Sequence, residues 1–271
     1  ILNRVAVPAA QCLHLAAMAT WTADAETALD ELENGAADAL TKYREVCEER
    51  LERSAALAAG TLETDYDRVK VENLVCLDCK FRDVVAAMID TKMASALDFK
   101  WQALLKYYYS PDRKELSVNV GDFATTHALE YAGNRSRLVL TPPTDRAFLA
   151  LTAALRQRLG GVVCGAPGTG KVETIRELSR AVGSPHFLIS CSDSYTAPSL
   201  VGCLAGLAQM GGWGVFAGLN RAPVGALSVM ATQMKVLLDA VGHFSEPANR
   251  DDQYASLPEG TPHARVAEID F

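Results

Sequence analysis

Between Glu26 and Ala59 the apolar residues Leu29, Leu32, Ala36, Leu40, Tyr43, Cys47 and Leu51 recur every three or four positions. That period lays one apolar stripe along a helix. Gly35 falls inside the run without breaking its pattern, and Gly60 is placed to end it. Glu49 and Arg53 stand four apart, in the favourable order, on the polar side. The stripe is short and alanine-rich, which points to packing in a helical bundle; a two-stranded coiled coil is the other reading. A second helix is expected over Tyr66 to Asp90, with Val71, Leu74, Val75, Val84, Val85 and Met88 as its apolar members. The apolar stretch Ile1 to Ala19 fits either a helix or a strand followed by one. Asp98 to Tyr109 is dense in aromatic residues, a composition that supplies core more often than base stacking. Ser110-Pro111-Asp112 reads as a turn. Leu116 to Val120 alternates as a strand and stops at Gly121.

Beyond Asn134 the pattern changes to short apolar runs separated by helical periods. Arg137 to Thr141 is a predicted strand closed by Pro142-Pro143, and Thr144 is a predicted N-cap. The helix it would open carries Phe148, Leu151, Leu155 and Leu159, and Gly160-Gly161 would end it. Val162-Val163-Cys164 suits a buried strand, and Ile175, Leu178 and Val182 mark a helix shortly after it. Further strands are expected at His186 to Ser190 and Trp213 to Phe216. Helices are expected near Leu200 to Ala208 and through Leu227, Met230, Met234, Leu237 and Val241. Strands alternating with helices imply an α/β fold, a parallel sheet wrapped by helices, with ligand at the strands' C-terminal ends. Phe244 to Phe271 has no period and reads as loop.

Composition narrows the function. The chain has 271 residues, 49% of them hydrophobic, enough for a substantial core. Its formal charge is −7 with no basic block, which argues against nucleic acid as a partner. No apolar run approaches the ~18 residues that span a bilayer, and no signal pattern opens the chain, so no membrane partner is expected. Seven cysteines, an odd and scattered set, fit reduced thiols. Cys76-Leu77-Asp78-Cys79 is a lone C-x-x-C without a second pair at zinc spacing. The five histidines show no mutual ligand spacing, so no metal site is assigned.

The chemistry concentrates in Gly165-Ala166-Pro167-Gly168-Thr169-Gly170-Lys171, between the predicted strand and the predicted helix. That context makes G-x-x-x-x-G-K a phosphate-binding loop. Its glycines let successive N–H groups face phosphate oxygens, the helix N-terminus adds partial positive charge, and Lys171 neutralises the outer phosphates. The next position needs a Ser or Thr hydroxyl to hold Mg²⁺, and here it is Val172.

These residues resemble the dynein heavy-chain family, specifically the end of its linker joined to its first AAA+ module. Phe81 to Val85, Asp98 to Trp101, Leu105 to Tyr108 and Leu129 to Asn134 are similar to linker-end signatures. Arg137 to Arg146 is similar to the segment that opens the module, and Gly165 to Thr174, Ser190 to Asp193 and Asn220-Arg221 follow in family order. The resemblance implies a mainly helical linker part over residues 1–136 and an AAA+ P-loop module over 137–271, with 245–271 irregular. It implies ATP or ADP held by Gly165, Pro167, Gly168, Thr169, Gly170, Lys171, Val172 and Glu173, with Leu138, Val139 and Leu140 lining the base. The departures fall on the reactive groups. Where the family ends its second motif in Phe-Asp-Glu-Phe-Asn-Arg, this chain has Phe216-Ala217-Gly218-Leu219-Asn220-Arg221. Ala217 replaces the metal-orienting Asp and Gly218 the water-activating Glu, so Mg²⁺ binding is expected to be weak or absent and no residue is assigned a catalytic role. A glycine at that strand end is also expected to cost backbone entropy that a Glu would recover. The reading is a pseudo-ATPase in a dynein-containing, axonemal assembly of cilium or flagellum, with other dynein or axonemal subunits as partners. An active microtubule-motor ATPase is the alternative, and an unrelated P-loop kinase explains none of the linker resemblance.

Overall fold

The computed structural model describes residues 9–62 and 64–244, with the backbone of residues 265–266 and 269–270. Two compact units emerge. The first runs to Ala153 and includes Arg180–Gly183; the second takes Ala154–Ser179 and continues from Ser184.

The first unit opens with three long helices, α1 (Ala10–Glu33), α2 (Ala39–Ala59) and α3 (Asp65–Asp90). The stripe expected to form one helix from Glu26 to Ala59 is therefore cut in two. Gly35 takes φ +100, a backbone state closed to the helix, and the chain re-enters helix only at Ala39. The apolar residues on either side of the break still go inside: Leu29, Leu40 and Cys47 are all buried. Helix α3 starts one residue before the expected Tyr66, because Thr64 accepts the N–H of Asp67 and so caps it. Asp65 and Asp67 lie in its first turn, where the helix dipole favours carboxylates. Trp21 of α1 stacks on Phe81 of α3 with ring centroids 4.6 Å apart, and Trp101 tilts against Trp21 at 5.5 Å.

The aromatic run supplies core. Trp101 belongs to the short α4 (Phe99–Gln102), and Tyr107 to β1 (Lys106–Ser110); both are fully buried. Strand β1 pairs antiparallel with β2 (Glu115–Val120), which pairs in turn with β3 (Phe123–Thr126). Consecutive tyrosines hide the period of β1, so only β2 was predictable from alternation. Residues 137–141 do not form the expected strand, and α5 (Pro142–Arg156) begins at the prolines meant to close it. A first helical turn needs no N–H from its residues, so Pro142 and Pro143 are at home there. Thr144 consequently lies inside the helix rather than capping it, its Oγ1 3.1 Å from that of Thr141.

In the second unit α6 starts at Lys171 (Lys171–Val182), its last residues counted with the first unit. Then follow β4 (His186–Ser190), α7 (Ala197–Met210), β5 (Trp213–Ala217) and α8 (Val224–Phe244). Strands β4 and β5 are parallel, in register from His186↔Trp213 to Ser190↔Ala217. Leu200 and Leu204 of α7 and Met230 of α8 form the core with Cys191. The expected strand Val162–Cys164 is absent: the segment has no hydrogen-bonded partner strand among the described residues, and Val162 is 84% exposed. Apolar content favours a strand, but only a neighbour makes one. The parallel sheet therefore has two strands among the described residues.

Helix α8 corrects one sequence expectation. Its window Val224–Val241 has a mean hydropathy of 1.4, long and apolar enough by composition to cross a membrane, although Thr232, Gln233, Lys235 and Asp239 interrupt it. Met230 is buried in the second unit's core and Leu227, Met234 and Leu237 pack against it partly buried, while Val224, Val229, Leu238 and Val241 are exposed. Most of Phe244 to Phe271, read as loop, lies outside the described residues; β6 (Arg265–Val266) and β7 (Ile269–Asp270) pair antiparallel within it.

Candidate phosphate-binding site

The predicted loop stands directly before α6, without regular structure from residue 161 to 166. Gly168 and Gly170 take φ +77 and +76, left-handed states that turn the backbone twice in three residues. A Cβ on Gly165 would sit 3.3 Å from Thr169 Oγ1, a tight approach to which the Thr169 side chain would have to yield by a few tenths of an ångström. Thr169 donates to the carbonyl of Ala166 at 2.8 Å and closes the loop on itself. At the other end, the N–H and hydroxyl of Thr174 both bond the carbonyl of Gly170, at 2.9 and 3.0 Å.

The Lys171 ammonium folds back over this loop. It donates to the carbonyls of Gly165 and Ala166, at 2.9 and 2.5 Å, and lies 3.3 Å from Thr169 Oγ1. Loop and cation are thus one hydrogen-bonded unit, solvent-exposed from Gly165 to Gly170. Val172 and Glu173 follow in the first turn of α6, and Glu173 pairs with Arg176 at 2.6 Å. Ser179 on the same helix meets His186 Nδ1 of β4 at 2.7 Å. Leu138, Val139 and Leu140 belong to the first unit and are not in a strand; Val139 is 61% exposed.

The second motif lies at the end of β5. Ala217 is the last strand residue, and its carbonyl accepts the N–H of Cys191 at 2.8 Å. Gly218 leaves the strand at φ +67 and ψ 34 and starts a short 3-10 turn over Leu219–Arg221. This overturns the expectation that Glu would be favoured there, since a side chain in the left-handed region is strained.

The residues present fit a phosphate group: left-handed glycines, a helix N-terminus and an ammonium all converge on one loop. They do not fit a magnesium ion. Val172 has no hydroxyl, Ala217 and Gly218 have no carboxylate, and no cluster of three His, Cys, Asp or Glu suited to a metal occurs among the described residues. What the sequence could not signal is how the loop is held: the Lys171 fold-back and the Thr169 and Thr174 closures are properties of conformation.

Loop, helix and parallel strand pair together define a P-loop module of the AAA+ class. Residues 127–257 match the family described as the hydrolytic ATP binding site of the dynein motor region. The chain belongs to the dynein heavy-chain family. It is 37% identical over 221 residues, 82% of its length, to the human dynein axonemal heavy chain 17. To the Chlamydomonas reinhardtii dynein beta chain of the flagellar outer arm it is 37% identical over 243 residues, 88% of its length. To the ciliary dynein beta chain of Heliocidaris crassispina it is 35% identical over 237 residues. The chain spans about 5% of the length of each of these curated relatives.

Proposed function

We propose that this chain carries an AAA+ module that holds ATP or ADP without hydrolysing it, and that serves structure or regulation in a dynein-containing assembly. Residues 1–136 form the end of a linker and residues 137–271 the module. The nucleotide's phosphates lie on Gly165, Pro167, Gly168, Thr169, Gly170, Lys171, Val172 and Glu173, and its base on Leu138, Val139 and Leu140. Other dynein or axonemal subunits are the partners, and the axoneme of a cilium or flagellum is the location, in keeping with the axonemal, ciliary and flagellar names of the relatives.

One observation carries the reading: β5 ends in Ala217 and a left-handed Gly218, with no carboxylate at either position. Phosphoryl transfer to water needs charge neutralisation by a metal and a positioned water, and both supports are missing here together with the hydroxyl at Val172. The intact glycines and Lys171 separate holding a phosphate from using it. An active motor ATPase is the competing reading, favoured by the matched family's description as a hydrolytic site. Steady-state turnover decides between them, measured with and without microtubules. The proposal expects none above background; magnesium-dependent turnover of order 1 s⁻¹, the low end of the usual enzyme range, would overturn it.

A further inference from the structure

We infer that Tyr107 is a positioning residue for the phosphate loop, acting through α6, a role that rests on that loop holding a nucleotide's phosphates. Helix α6 begins at Lys171, directly behind the loop, and ends at Val182. The last four carbonyls of a helix lack partners within it, so whatever bonds them holds the helix end. Those of Ser179 and Arg180 are closed by the helix's own terminal turn. Ser184 donates its N–H to the first at 3.0 Å and Gly183 to the second at 3.1 Å, with Gly183 left-handed at φ +75. The next two are taken by donors from far back in the chain. The Tyr107 hydroxyl donates to the carbonyl of Ala181 at 2.9 Å, and the N–H of Ala128 to that of Val182 at 3.1 Å. The N–H of Glu130 adds a bond to the carbonyl of Gly183, also at 3.1 Å.

These three outside bonds all lie within the first unit. Tyr107 supplies the one that a side chain makes. Its place is fixed on both sides, since its own N–H donates to Thr22 Oγ1 of α1 at 3.2 Å and its strand pairs it with Val118. Tyr107 and Ala181 are both 1% exposed, so water cannot take over the bond when the hydroxyl is removed. Lys171 stands about 15 Å along the axis from Ala181, at a rise of roughly 1.5 Å per residue. A hydrogen-bonded helix of that length turns as one rod, so fixing its end sets where its start points. The loop follows the start, because the N–H and hydroxyl of Thr174 both bond the carbonyl of Gly170. With the end released, the free chain samples more orientations of helix and loop. A phosphate must then order them, and that cost is drawn from binding.

Calorimetric titration of the intact chain with ADP tests the role, at a temperature where circular dichroism shows every variant folded. Tyr107→Phe removes only the hydroxyl and should weaken ADP binding about fivefold, the net worth of one hydrogen bond. Tyr108→Phe is the matched control. Its hydroxyl donates to Glu26 of α1 at 2.5 Å, a first-unit bond that does not touch α6, so its loss should lower stability in urea and leave ADP affinity unchanged. Thr174→Val cuts the side-chain tie between loop and helix. Adding Tyr107→Phe to it should cost less affinity than in the wild type, while the two substitutions add in urea stability. Absence of ADP binding by the wild-type chain would overturn the phosphate site and this role with it. With wild-type binding in place, an affinity unmoved by Tyr107→Phe, an equal loss with Tyr108→Phe, or full additivity with Thr174→Val would overturn the positioning role by itself.

Discussion

Restoring the missing glutamate at the end of β5 should destabilise the protein before it does anything for chemistry. Gly218 has φ +67 and ψ 34, inside the left-handed region. The nearest atoms to a Cβ built there are Arg221 Cδ and Nε at 3.5 Å and the Cys191 carbonyl at 3.7 Å, all ordinary contacts. Steric collision is therefore absent, and the cost is that of the backbone state alone, about 1–2 kcal/mol for a residue with a Cβ. Glycine's greater unfolded-state freedom offsets part of that, roughly 0.5–1 kcal/mol. Gly218→Ala isolates the difference, a net loss of about 0.5–1 kcal/mol from those two figures. Gly218→Asn should lose less, because Asn tolerates the left-handed region. Gly218→Glu should match Ala, recovering up to about 1 kcal/mol if its carboxylate reaches Arg221 at the surface. Urea unfolding at constant slope measures all three. A neutral or stabilising Gly218→Ala would refute the left-handed assignment and the reasoning built on it.

Combining Val172→Thr, Ala217→Asp and Gly218→Glu should raise affinity for magnesium–ATP while turnover stays poor; unchanged affinity with an intact fold would mean the lost side chains are not what limits metal binding. Gly183→Ala should be among the costliest single changes in the first unit, because its Cβ would lie 2.3 Å from His127 Cε1. His127 is buried and accepts the N–H of Leu129 at 3.0 Å, so the expected loss is about 2–4 kcal/mol from overpacking and an orphaned donor; a chemical-denaturation loss under about 1 kcal/mol would contradict the contact. Burial also holds the His127 pKa below its ordinary 6.5. The unfolded chain then binds a proton before the folded one does, so stability falls as pH drops from 6.5 through the depressed folded value. Unfolding midpoints from pH 7.5 down to 5 should show that slope, and His127→Gln should flatten it.

Periodic elements were legible in the sequence to within a few residues. Helix α3, β2, β4 and β5 are set by local spacing, and α7 needed only its Thr196 cap to extend the reading. The misreadings share a cause: each depended on something outside the local pattern. The run through Gly35 keeps helical spacing whether or not the backbone turns there. Arg137 to Thr141 and Val162 to Cys164 are apolar enough for strands, yet strand formation waits on a partner that spacing cannot name. For the site, the residue types were readable and so were the losses at Val172, Ala217 and Gly218. The fold-back of Lys171 onto the Gly165 and Ala166 carbonyls was not, because residue types do not say which way an ammonium turns.

With Lys171 folded back, the arrival of a phosphate group at the proposed site would be an exchange of partners. Its ammonium already satisfies the carbonyls of Gly165 and Ala166, oxygens that would otherwise repel an approaching phosphate. A phosphate must draw the lysine off those carbonyls and leave them to water, so the first contact gains less than the full attraction of a naked cation. The same tether keeps the loop folded while it waits, which spares the backbone a search when a ligand comes.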